Sequence, residues 1–191
     1  MLISRLDENA TIGMDGVVAM QKFYQKGGFE IAFKDFRYEV IGKVYEVDEQ
    51  ISEISAEDIN AVMELDKKCF GFPRPQFMIP WINLPGNKTF KYVENGELKG
   101  FAIVRKANSG YKICPLFAEN ELIAENLYRA CMTAVAGEPI YLDIPEINTA
   151  AQKLIEKYNA KYVFECARMY RGKPPLVELD KVYGITTFEL G

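Results

Sequence analysis

A segment near the start of this chain returns near its end, and a duplicated supersecondary unit constrains the fold more than any compositional figure does. Residues 12–38 read IGMDGVVAMQKFYQKGGFEIAFKDFRY, and residues 140–170 read IYLDIPEINTAAQKLIEKYNAKYVFECARMY. In both, a short apolar strand ends in Asp (Asp15, Asp143) and a helix with Gln-Lys follows (Gln21-Lys22, Gln152-Lys153). Both then pass through a turn into an aromatic strand that closes on Arg and Tyr (Arg37 and Tyr38, Arg168 and Tyr170). A long stretch of folding sequence precedes the second copy, and very little precedes the first. The chain therefore reads as the closing part of one domain, residues 1–45, followed by all of a second, residues 46–191.

A length of 191 residues suits that division, and an apolar fraction of 49% with 26% charged residues can fill a sizeable core. No apolar run approaches the roughly 20 residues that span a bilayer. No basic stretch followed by an apolar one opens the sequence, so the expected location is the cytoplasm. Net charge is −4 without a Lys/Arg cluster, which argues against nucleic acid as a partner. Residues 46–66 carry eight acidic side chains and no basic one, as a solvated helix face would.

The chain has no His, which removes Ser-His-Asp and Cys-His mechanisms together with His-ligated metal sites. Cys69, Cys114, Cys131 and Cys166 show no C-x-x-C spacing and read as buried thiols. Chemistry must then come from carboxylates, Tyr, Lys, Cys or the backbone.

The pattern predicts a strand over 12–15, a helix over 16–26 ended by Gly27-Gly28, and a strand over 29–47 bent at Gly42. Ser55-Ala-Glu-Asp58 resembles a capped start to a helix running to about residue 70. Four prolines by residue 85 break the next stretch, leaving room for a short helix near 76–83. Strands over 89–93 and 98–105 form a hairpin through Asn95-Gly96, and another strand covers 111–116. A helix over 119–136, a strand over 139–144, a helix over 148–158, a strand over 162–170 and an extended tail over 183–190 complete the chain. The first strand–helix–strand unit cannot bury both faces alone. It must dock on the second half, or swap into a homodimer through its exposed sheet edge.

This order of elements, with its two β-α-β endings, resembles the GNAT acetyltransferase superfamily, and in detail a bacterial subgroup with two such domains in tandem. GMDGVVAMQKFYQKGGFEIAFKDFRY, KICPLFAEN, YLDIPEIN, Arg168-Met169 and VYGITTFELG carry the likeness. The resemblance implies a mixed α/β acyl-CoA N-acyltransferase fold, acetyl-CoA as cosubstrate and a small-molecule amine as acceptor. It also implies a phosphate-binding loop, Q/R-x-x-G-x-G/A, whose backbone N–H groups and helix dipole hold the coenzyme A pyrophosphate. At that place the second domain reads Pro115-LFAENE-Leu122, with no glycine and no cation, so it is read as degenerate for coenzyme A. The first domain's loop would lie upstream of Met1.

By the same resemblance Tyr24 stands where such enzymes place the acid that protonates the leaving thiolate, and its counterpart in the second copy is Ile155. The alternative for Tyr24 is an aromatic packing its helix on the sheet. Asp15 and Asp143 end equivalent strands, where they could bind a substrate amine or act as a base, or simply cap a helix or turn. Asn148 falls where the family often sets an Asn near the pantetheine arm, and it equally suits an N-cap. Arg74 could reach an anionic ligand or be a surface Arg. Trp81, with Phe70, Phe72, Phe77 and Met78, could cover a ligand, contact another domain or subunit, or belong to the core. Two functions stand side by side: an acetyl-CoA-dependent N-acyltransferase or a fragment of one, and a non-catalytic ligand-binding or dimerisation module.

Overall fold

The computed structural model of the chain describes residues 6–7 and 10–188. Their strands are β1 (Ile12–Val17), β2 (Glu30–Ile41), β3 (Ile51–Ser52), β4 (Lys88–Glu94), β5 (Glu97–Lys106), β6 (Tyr111–Ala118), β7 (Pro139–Pro145), β8 (Lys161–Arg171) and β9 (Val182–Gly184). The helices are α1 (Gln21–Lys26), α2 (Ile59–Phe70), α3 (Pro75–Ile82), α4 (Glu121–Ala134) and α5 (Thr149–Lys157). One mixed sheet runs β1-β8-β2-β7-β6-β5-β4-β3, with β9 pairing on β6. This is the expected mixed α/β architecture.

Local chemistry explains most boundaries. Asn95 and Gly96 both have positive φ (53° and 78°), as the tight turn between β4 and β5 requires. Gly71, at φ 101°, closes α2, and the Asn120 side chain accepts from the Ile123 N–H to start α4. The first helix is shorter than expected: β1 continues to Val17 and a 3-10 turn (Val18–Met20) precedes α1. The strand predicted over 29–47 ends at Ile41, because the turn after α4 captures the chain at Gly42. There the Gly42 N–H donates to Glu138 O and Gly42 O accepts from the Gly137 N–H, both at 2.8 Å.

The sequence repeat becomes a reciprocal pairing. β1 lies antiparallel on β8 with Asp15 opposite Arg168, and β7 lies antiparallel on β2 with Asp143 opposite Arg37. Between them β2 and β8 run antiparallel, with Phe33 opposite Arg168, Asp35 opposite Cys166 and Arg37 opposite Phe164. Matching Arg37 to Arg168 in the repeat puts a pseudo-twofold axis through the Asp35–Cys166 pair. Each unit's closing strand is thus inserted against the other unit's opening strand. The edge expected to lie open on the first unit is filled in this way, leaving the outer side of β1.

Helices α4 and α5 pack on one face, around Leu127, Tyr128, Met132, Leu142, Ile144 and Leu154. Helix α1 lies on the same face, since a Cβ at Gly16 would meet the Tyr24 ring at 3.0 Å and Met169 Sδ at 2.8 Å. Helices α2 and α3 and the segment around β9 cover the other face, through Val62, Met78, Phe101, Phe117 and Val182. Each such wholly buried large apolar side chain stabilises the fold by roughly 1.5–3 kcal/mol relative to exposure.

A Cβ at Gly42 would stand 2.4 Å from Val135 O, a backbone atom without freedom to yield. Gly42→Ala is therefore expected to destabilise the protein by about 1–3 kcal/mol, read as a lowered urea midpoint. An unchanged midpoint would contradict the close approach.

Candidate functional site

On the α2–α3 face, alternate residues of the four strands nearest the pseudo-axis form a row of charges. Arg168 clasps Asp15 through Nε (2.9 Å) and Nη2, and Arg37 clasps Asp143 through Nε (2.7 Å) and Nη2 (2.8 Å). Lys112 Nζ adds a third bond to Asp143 at 2.6 Å. These bidentate forks fix both guanidinium groups and compensate carboxylates that are all but excluded from water.

Asp35 lies between the two pairs and is different. It is fully buried, no donor group reaches either of its oxygens, and its own proton has the neighbouring Asp15 carboxylate as acceptor. Burial, and next the negative charge of Asp15, push its pKa up from 3.8 to about 8, with Arg168 pulling the other way. At neutral pH it therefore holds its proton. Cys166, opposite it, is pushed up to about 12 by burial and by Asp15, Asp143 and Asp35, so the thiol is inert. All four cysteines are free and buried, as expected.

Asp35 and Arg168 floor a chamber of about 30 Å³ walled by Phe33, Phe117 and Leu179, which is room enough for water. Phe70, Arg168 and Tyr170 line this chamber and also an outer cleft of about 380 Å³, which Phe72, Lys173 and Pro175 complete. An aromatic cleft thus sits over a buried carboxyl whose proton exchanges near neutrality. That combination can seat a flat apolar ligand and exchange a proton with a polar group on it.

The residues singled out in the sequence do not all gather here. Asp15 does, as the partner of Arg168, but as a strand residue in an ion pair and not as a cap. Asp143 is fully buried under Arg37 and Lys112, in the equivalent pair. Arg74 is not at the surface, and it stands behind Phe70 of the cleft wall. It is buried, bonds Asp66 at 2.9 and 2.7 Å and Thr186 Oγ1 at 2.7 Å, and stacks 3.7 Å over the Phe70 ring. Trp81 anchors α3 to the sheet through Nε1–H to Cys114 O (2.8 Å), stacks on Phe77 and carries Arg105 over its ring. Tyr24 lies on the α1 face, across the sheet from the Asp15–Arg168 pair, with its ring on Gly16. Asp35 was missed because a lone acidic residue inside an aromatic strand signals nothing until the sheet shows that it faces inward.

Asn148 is an N-cap and more. Its Oδ1 accepts from the Ala150 and Ala151 N–H groups, and its Nδ2 donates to the carbonyls of Leu179, Asp180 and Val182. It thereby ties β9 into the sheet. Strands β6 and β7 pair in parallel only across Tyr111–Ile113 and Ile140–Leu142. Beyond that they part, and β9 fills the gap, with Gly184 opposite Leu116 and the Ile185 N–H on Asp143 O (2.8 Å). The fit is close: a Cβ at Gly184 would stand 2.3 Å from Leu142 Cδ1. At the start of α4 the Ile123 N–H is taken by Asn120 and the Glu119 N–H by Lys99 O, and Glu119 and Glu121 are acidic. These residues do not fit a coenzyme A pyrophosphate. Among the described residues there is no cluster suited to a metal ion, and no helix is long and apolar enough to cross a membrane.

Asp35 has a measurable signature. The folded protein keeps this proton up to about pH 8, whereas an unfolded Asp loses it near 3.8, so the folded state binds more protons in between. Its contribution to stability accordingly falls as pH rises through that window and levels off above it. Asp35→Asn is expected to unfold at higher urea than the parent protein above about pH 8, by on the order of a few kcal/mol, with the difference shrinking toward about pH 4. Parallel stability profiles for the two proteins would rule out the raised pKa.

Comparison with known proteins agrees with the fold. A family model described as an acetyltransferase (GNAT) domain matches residues 62–184. The holothin acyltransferase of Pseudoalteromonas sp. (strain SANK 73390) is 27% identical over 186 residues, covering 96% of this chain and 63% of that protein. The crystal structure of a candidate acetyltransferase from Pyrococcus horikoshii superposes with a TM-score of 0.80 at 28% identity, over 95% of this chain and 60% of that one. A GCN5-related N-acetyltransferase from Sphaerobacter thermophilus shares the fold, with a TM-score of 0.65 at 12% identity over 93% of this chain and 65% of the other. The chain thus spans less than two thirds of each of these relatives, and it belongs to the GNAT acetyltransferase family.

Proposed function

We propose that this chain is part of an acetyl-CoA-dependent N-acyltransferase that acetylates a small-molecule amine, and that its described residues supply the acceptor side. The observation that carries this reading is Asp35, a buried carboxyl with no cation or donor of its own, beneath an aromatic cleft. An incoming ammonium group would pair with the ionised form of Asp35 and pass it a proton, leaving a neutral amine able to attack a thioester. A base with a pKa of about 8 suits that exchange near neutral pH. Arg168, locked by Asp15, holds positive charge beside the chamber and favours the ionised form. Phe70, Phe72 and Tyr170 would clasp a planar acceptor and keep water from the exchange. The similarity to a protein named holothin acyltransferase supports acyl transfer as the activity.

With the gap beside α4 closed by β9, we assign acetyl-CoA to the first of the two duplicated units, of which residues 1–45 are read as the closing part. Tyr24, on that unit's helix, is the residue to test there. The closed gap also favours a second reading, in which the chain only binds the acceptor and a partner domain.

The deciding experiment is transfer of labelled acetyl from acetyl-CoA to a panel of aromatic and aliphatic amines, using this chain and a protein of the relatives' length. Transfer by the longer protein is expected, rising with pH through about 8. Asp35→Asn should lower kcat/KM for the amine by about 10²–10⁴ while leaving acetyl-CoA binding intact. Amine binding without transfer in the longer protein would establish the second reading instead.

A further inference from the structure

The pseudo-twofold that places a cleft over the Asp15–Arg168 pair places another over its mate, Asp143–Arg37. Phe164 stands there in the position that Phe33 holds in the chamber beneath the first cleft, and Tyr141 in the position of Gly13. The two clefts have opposite character. The first is walled by Phe70 and Phe72, and the second, about 630 Å³, by Arg105, Lys106 and Lys112 from the ends of β5 and β6. With Arg37 the second cleft has four cations. Among the described residues the carboxylates facing it are Asp143, buried under Arg37 and Lys112, and Glu39, paired across the strands with Tyr141.

From this we infer that the groove over the Arg37–Asp143 pair is a binding site for a small, multiply charged anion, a phosphate-bearing or polycarboxylate molecule. The site is rigid where it is deepest: Asp143 fixes the Arg37 guanidinium and the Lys112 ammonium, and the Phe188 ring lies 4.8 and 5.5 Å from these two groups. Preorganised cations of this kind lose little freedom when an anion arrives. Capacity is left at the rim. Arg105 lines the groove with its guanidinium 5.0 Å from the Trp81 ring and Nη1 donating only a long bond, 3.5 Å, to Lys106 O, and Lys106 is exposed with no ion pair among the described residues. Asn108 and Ser109, at the tip of the same hairpin, add neutral donors. A single charge would satisfy only part of this set, so the geometry favours two or more negative charges close together. The start of α4, with Glu119 and Glu121, offers no competing place for such a ligand. This inference is independent of the acceptor cleft and of acyl transfer.

The test is calorimetric titration of the whole chain at low ionic strength with pyrophosphate and, separately, with citrate. Binding is expected to weaken as salt is added and to fall by about tenfold or more in Lys106→Glu, which changes an exposed side chain. Arg105→Gln should weaken it as well. Tighter binding of pyrophosphate would assign a phosphate ligand, and tighter binding of citrate a polycarboxylate. No heat from either anion at about 10 mM, or an affinity that neither substitution lowers, would overturn the inference.

Discussion

The antiparallel pairing of β2 with β8 is the contact on which the rest of the molecule depends. It joins the two copies of the repeat into one sheet and carries both Asp–Arg pairs toward the same face. Neither copy could do this alone, because each aspartate's arginine belongs to the other copy. The clasped pairs are deeply placed, so removing one partner would leave a desolvated charge, whereas the complete fork is compensated. Packing on the far face then follows from strand alternation. Phe36, Tyr38, Ile144 and Leu142 point away from the charges, into the core beneath α4 and α5.

Much of this was legible in the sequence. The hairpin at Asn95-Gly96, the stop at Gly71 and the helical stripes of α2 and α4 follow from local rules about positive φ and apolar spacing. The repeat itself gave the strand–helix–strand units. What local rules could not give was partner choice. Nothing near Asp143 in the chain indicates that its partner is Arg37 and not a ligand, and nothing near Asn148 indicates that its amide will hold three carbonyls of the tail. Arg74 had the same difficulty. In a proline-rich stretch it reads as exposed, yet Asp66, one turn before the end of α2, draws it inside.

The tail segment around β9 closes the second unit where its parallel strands diverge. A gap between diverging parallel strands is a natural ligand position in an open sheet. Here it is occupied by the chain's own backbone, which satisfies the sheet edge through main-chain bonds and through Asn148. An external ligand would have to displace a tethered occupant whose local concentration is very high. The sequence there and the closed gap agree with each other: the start of α4 carries Glu119 and Glu121, which would repel an anion.

The residue pair on the pseudo-axis has a consequence of its own. In a symmetric homodimer, a side chain on the axis faces its identical copy, so an Asp would meet an Asp in a water-free interior. Duplication within a single chain removes that obligation. One side of the axis keeps the acid, Asp35, and the other carries a small neutral thiol, Cys166. The fused arrangement can therefore hold one ionisable carboxyl, and one asymmetric chamber above it, at a place where two separate identical subunits would be forced to hold two. Two clefts related by the pseudo-twofold lie on either side of it, one aromatic and one cationic.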